Sequence, residues 1–87
     1  MAQYEVRVQD SAQKELLRLP RQIAARMINA LRLLETTPRS ANSRKLYRSD
    51  DSYRIRVGDY RIVYRIDDNA KLVTVYRIGH RGEVYRR

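Results

Sequence analysis

The sequence predicts a single α+β domain spanning residues 1–87, with element order β-α-α-β-β-β and a helical hairpin packed on one face of a four-stranded, mostly antiparallel sheet. Three observations carry this prediction. A period-two stretch opens the chain, two segments of helical period flank Pro20, and two alternating runs and one nearly continuous apolar run follow one another after residue 50. The strand, helical crossover and return to the same sheet pack in a right-handed sense, which places both helices on one face and leaves the other open.

The elements follow in order. Gln3 to Gln9 alternates, with Tyr4, Val6 and Val8 on one side and Glu5 and Arg7 on the other, as expected of a half-buried strand. Asp10 is placed to cap the next helix, with Gln13 completing a capping box. Ala12, Leu16 and Leu19 form that helix's apolar side, and Pro20 ends it. Pro20 also suits the first position of a second helix, where its missing N–H is no loss. Ile23, Met27, Ala30, Leu31 and Leu34 then fall on one helical face, ending at Thr36, Thr37 and Pro38. Arg21, Arg26 and Arg32 lie on the outer face and read as solvated surface. Residues 39–44 read as a polar surface loop. Lys45, Leu46 and Tyr47 form a short extended segment, and Arg48 to Ser52 turns into the next strand.

The most informative run is YRIRVGDYRIVYRI, Tyr53 to Ile66. Gly58 and Asp59 suit a two-residue hairpin turn of type II′, with glycine in its first central position. That turn sets Val57 opposite Tyr60, Ile55 opposite Ile62 and Tyr53 opposite Tyr64 on the core face. The other face then places Arg56 opposite Arg61 and Arg54 opposite Val63, with Arg65 further along. Like charges directly opposite each other destabilise a sheet by up to about 1 kcal/mol per pair, so this arrangement points to an anion held there. Asp67, Asp68 and Asn69 make the next turn. Lys71 to Ile78 is nearly continuous in apolar residues, as expected of an interior strand covered on both faces. Two glycines then bracket His80 and Arg81, allowing a sharp bend in the tail.

Composition bounds the function. Nineteen Lys and Arg against ten Asp and Glu give a net charge of +9 over 87 residues, which favours a polyanionic partner: nucleic acid, an acidic protein or an anionic membrane surface. The absence of cysteine excludes a disulfide framework, a thiolate nucleophile and a cysteine zinc site. With one histidine and scattered carboxylates, neither a metal nor another cofactor is expected. The first fifteen residues contain no signal-peptide-like apolar run, and no segment nears the ~18 consecutive apolar residues of a membrane span, so a soluble cytoplasmic protein is expected.

Leu46, the run from Tyr53 to Tyr64, then Ile78, Gly79, His80 and Arg81, and finally Val84 and Tyr85, resemble the RelE group of the RelE/ParE toxin superfamily. The resemblance covers nearly the whole chain. It implies a RelE-like fold and a type II toxin that enters the ribosomal A site, cleaves messenger RNA there and so inhibits translation. The catalytic residues it implies are Arg54, Arg56, Arg61, Arg81 and Tyr85. Several relatives carry lysine at the first two positions; both are arginine here, and a guanidinium retains its proton, so neither serves as a general base. Arg54 and Arg56, with Arg65, Lys45 and Arg48, form the expected RNA-binding set. His80, with an unperturbed pKa of roughly 6.5, is either a proton-exchanging group or a brace for the bend. Glu83 is a second candidate for proton transfer, and Tyr53, Tyr60 and Tyr64 read as core. The resemblance further implies an acidic RelB-like antitoxin in a toxin–antitoxin hetero-oligomer, with the ribosome and message as the other partners. It also implies that the chain, two residues past Tyr85 at its end, stops short of the C-terminal helix some relatives carry. Two other readings stand beside this one: a ParE-like inhibitor of DNA gyrase, and an RNA-binding module without catalysis.

Overall fold

The computed structural model describes residues 3–46 and 51–80. Its elements are β1 (Glu5–Val8), α1 (Asp10–Leu17), α2 (Arg21–Leu33), β2 (Ser43–Lys45), β3 (Ser52–Val57), β4 (Tyr60–Asp67) and β5 (Leu72–His80). The expected order is present, with one strand more: the sheet has five strands in the order β1-β5-β4-β3-β2. The added strand is β2, which pairs antiparallel with β3 and begins two residues before the predicted extended segment. β1 runs parallel to β5, and the remaining neighbours are antiparallel.

The core lies between the two helices and one face of this sheet. Met27, Leu31 and Leu34 from the second helical segment meet Ile62, Tyr64 and Val75 from the sheet, all buried. Fully burying a side chain of this size contributes about 1.5–3 kcal/mol. Ala12 is the buried residue of α1, and Leu16, Leu19 and Ile23 pack partly against the same cluster. Helix starts differ from expectation by one residue. Asp10 is the first residue of α1, not its cap, and lies where a negative charge favours the helix N-terminus. Gln13 donates from Nε2 to the Val8 carbonyl (2.9 Å) instead of closing a capping box. Pro20 takes the cap position of α2, with φ −54° and ψ 147°.

The central hairpin has the predicted register throughout: Val57 faces Tyr60, Ile55 faces Ile62 and Tyr53 faces Tyr64. Gly58 adopts φ +61°, a left-handed conformation that glycine enters without steric cost. β5 is interior to the sheet, but it is not covered on both faces. Val73, Val75 and Ile78 are buried whereas Thr74, Tyr76 and Arg77 are half-buried. A bulge opposite Val63 and Tyr64 inserts Tyr76 and shifts the later pairing. β1 ends alongside Val75, and α1 covers the uncovered edge that follows. Glu15 accepts the Ile78 backbone N–H at Oε1 (2.7 Å) and the Arg77 Nε–H at Oε2 (3.2 Å).

The sheet's opposite end is held by a side-chain network. Asp68, in the β4–β5 turn, accepts from Tyr4 Oη (2.7 Å) and from both terminal nitrogens of Arg39 (3.1 and 2.9 Å). Arg39 Nε donates to Tyr53 Oη (3.0 Å), and Tyr64 Oη donates to the Pro38 carbonyl (2.6 Å). The Tyr53 and Tyr64 rings stack, with centroids 6.1 Å apart. The Arg39 guanidinium and the Tyr4 hydroxyl together hold the Asp68 carboxyl down at about 2. Burial pushes the Tyr64 hydroxyl up to about 12. No helix among the described residues is long and apolar enough to cross a membrane.

Candidate nucleic-acid interface

Because side chains alternate along a strand, the residues between the core positions of β3 and β4 occupy the face away from the helices. Cross-strand pairing there sets Arg56 against Arg61, Arg54 against Val63 and Ser52 against Arg65, as the sequence predicts for the first two pairs. β2 extends the row, since Arg44 pairs with Arg54. Four arginines, Arg44, Arg54, Arg56 and Arg61, thus occupy adjacent positions near the Gly58 turn.

Arg61 stands apart from the other three. It is 5% exposed, so this face is not open throughout, and its floor includes Val63 at 3%. Its Nε is buried with no hydrogen-bond partner among the described residues, and one terminal nitrogen donates to the Tyr60 carbonyl (3.3 Å). Across β5 it faces Gly79, which contributes no side chain. Leaving a buried donor unsatisfied costs about 1–3 kcal/mol, more for a charged group. A phosphate oxygen is the acceptor that would offset this cost, through charge-assisted bonds to a planar donor fork. Arg56 is exposed and Arg54 half-buried, and neither has a carboxylate partner among the described residues.

The remaining candidates fall elsewhere. Arg65 is on the arginine face but toward its other end, 3.8 Å from Asp51 and over the Tyr76 ring at 5.9 Å. Lys45 pairs with Tyr53, so its position belongs to the helix-bearing face and not to the arginine row. Arg44 is the residue that sequence reasoning missed; a three-residue strand is too short to announce its register. His80 pairs with Tyr60 and meets its ring edge-on, with centroids 5.6 Å apart. It therefore lines a cleft on the helix side, with Glu15, Arg18 and Tyr60, and is not brought to Arg56 and Arg61. Arg48, Arg81, Glu83 and Tyr85 lie outside the described residues.

Fold and face together define a class: a small α+β domain whose helices cover one side of a sheet and whose other side carries a row of guanidinium groups, of which Arg44, Arg54, Arg56 and Arg61 have no carboxylate partner among the described residues. Comparisons with known proteins fit that class. The model of the ParE toxin of type II toxin-antitoxin system, parDE, matches residues 6–85. Toxin RelG of Mycobacterium tuberculosis is 33% identical over 85 residues, covering 97% of this chain and 98% of the relative. Among solved structures, the toxin-antitoxin complex RelBE2 from M. tuberculosis contains a chain that superposes with a TM-score of 0.81 at 32% identity, covering 91% of this chain and 99% of that one. The archaeal RelE-RelB complex from Pyrococcus horikoshii gives a TM-score of 0.79 at 30% identity, covering 94% and 98%. The chain belongs to the RelE/ParE superfamily of type II toxin-antitoxin toxins, and it is RelE-like.

Proposed function

We propose that this chain is a ribosome-dependent endoribonuclease that cleaves messenger RNA in the ribosomal A site and so inhibits translation in the cytoplasm. The observation that carries the reading is Arg61: a buried guanidinium with an unpartnered Nε, directly across from Arg56. In the proposed reaction the ribose 2′-oxygen forms a bond to its neighbouring phosphorus while the bond from phosphorus to the 5′-oxygen breaks. The products are a cyclic phosphate and a 5′-hydroxyl; the 2′-proton leaves the nucleophile and a proton is delivered to the departing oxygen. Negative charge accumulates on the phosphoryl oxygens in the transition state. Fixed cationic donors stabilise it, and removing one such group typically costs about 10² to 10³ in rate.

Arg61 has this role, supported by Arg56, and Arg54 binds the RNA. From the family resemblance, Arg81 stabilises the leaving oxygen, and Tyr85 stacks on a base or orients the 2′-hydroxyl. Arginines do not supply a base, and the His80 ring lies against Tyr60 on the other side of the sheet. Alignment of the message by the ribosome supplies the rest, since orientation alone accounts for several kcal/mol of a barrier. The proposed partner is an acidic RelB-like antitoxin in a hetero-oligomer. The relatives crystallised as RelBE complexes support it, as does the charge of +9.

The test is cleavage with programmed ribosomes. Purified protein is expected to produce cuts within the A-site codon, and Arg61→Ala to abolish them; intact message with the wild-type protein overturns the reading. One observation favours a second reading, inhibition of DNA gyrase, because the matching family model is that of a ParE toxin. Inhibited supercoiling in a ribosome-free assay, with message left intact, would establish it instead.

A further inference from the structure

The arginine row is not one site but two. Arg56 and Arg61 are partners across β3 and β4, whereas Arg54 faces the apolar Val63 on that side and Arg44 on the other. Arg44, Arg54 and Arg56 line an open groove of about 390 Å³, closed by Ala41, Asn42 and Gly58. No carboxylate among the described residues contributes to its walls. Arg44 is exposed, and among the described residues its guanidinium makes a single long bond (3.4 Å) to the carbonyl of its neighbour Ser43. A further cation stands beside the turn: the Arg26 guanidinium of α2 comes within 3.5 Å of the position a Cβ on Gly58 would occupy. Strands are spaced about 4.8 Å apart and side chains on one face recur about every 6.7 Å. The Arg44–Arg54 pair is therefore displaced from the Arg56–Arg61 pair by one strand and one same-face repeat.

The geometry points to a second phosphate subsite, in which Arg44 and Arg54, with Asn42 beside them, grip the phosphodiester next to the one that is cut. Arg56 stands between the two subsites and serves both. This rests on the ribonuclease reading for the identity of the strand, and it separates the roles of the row: Arg61 acts on the reacting phosphate, Arg44 and Arg54 hold the neighbouring one.

The experiment measures binding of the full chain to 2′-O-methylated oligoribonucleotides, which lack the attacking hydroxyl: a dinucleotide with one phosphodiester and a trinucleotide with two. Wild-type protein is expected to bind the trinucleotide about tenfold more tightly. Arg44→Ala is expected to remove that increment and leave dinucleotide binding unchanged, and Arg54→Ala to remove the increment as well. The salt slope for the trinucleotide should fall by about 0.7 in each variant, the value for one phosphate contact on a single strand. With cleavable message on ribosomes, Arg44→Ala should raise KM and leave kcat unchanged. Equal weakening of both oligonucleotides by Arg44→Ala would overturn the subsite, because a diffuse field and not a local grip would then be at work. So would a wild-type protein that does not distinguish the two probes while Arg44→Ala loosens binding to empty ribosomes, since the groove would then hold ribosomal RNA. If wild-type protein leaves message intact yet shows the increment and its loss, the subsite stands and the ribonuclease reading falls.

Discussion

Arg39 and Arg61 are the same residue type at opposite ends of one sheet, and the sheet treats them differently. Arg39 is about half exposed, yet it spends its donors on Asp68 and Tyr53. Arg61 is almost fully buried, where a partner matters most, and its Nε has none among the described residues. Around Arg39 the tyrosines and the carboxylate tie the β4–β5 turn to Tyr4 and to Tyr53 of β3. Across from Arg61 stand a further arginine, Arg56, and Gly79, which has no side chain. One end is arranged to hold the fold together, and the other retains a buried donor, Arg61 Nε, that the proposed RNA phosphate would satisfy.

The comparison breaks most directly at Arg61. Arg61→Met, which keeps a long unbranched stem and removes the charged head, should lower the rate of A-site cleavage by about 10² to 10³. Its thermal midpoint should stay level or rise, because an uncompensated buried donor has gone. A midpoint that fell together with activity would mean that Arg61 is structural after all. At the other end, Tyr64→Phe leaves the Pro38 carbonyl without its donor and should cost about 1–3 kcal/mol in urea unfolding, with cleavage per folded molecule unchanged. Arg39→Met should lower the thermal midpoint by a few degrees, the smaller effect expected of a solvent-screened ion pair.

The smallest effect is that of pH. The Asp68 carboxyl is held at about 2, below the unfolded value of about 3.9. Its contribution to stability is therefore complete above pH ~4 and is lost as pH falls through about 2. Urea midpoints taken across that window should decline, and Asp68→Asn should flatten the decline. A decline of the same steepness in the variant would assign the acid sensitivity to other carboxylates.

How much of this was legible beforehand depended on whether a feature was local. The hairpin register could be read from the Gly58–Asp59 turn and the alternation on either side of it, which yields six cross-strand pairs, because turn type and alternation agree and a slip by one residue would bury the arginines. β2 was not legible. Three residues carry too little alternation, so Arg44 passed as loop, and Lys45 entered the expected RNA-binding set although its position lies on the helix-bearing face. His80 was within reach: two positions beyond core residue Ile78 on the same strand, it had to share that residue's face. The two glycines suggested an earlier end to the strand than the structure has. The Tyr4–Asp68–Arg39 network was out of reach, since it joins loops that only the finished sheet brings together.

The parallel pairing of β1 with β5 has a consequence for how the molecule comes into being. Residues 5–8 leave the peptidyl transferase centre first and must wait for residues 72–75 before they have a neighbour to bond with. The helices meanwhile have only part of their eventual floor, and long-range closure of this kind is slow relative to local hairpin formation. A nascent chain can thus shape its arginine hairpin before it can complete the globule that supports it, because that globule waits for residues 72–75 to be made.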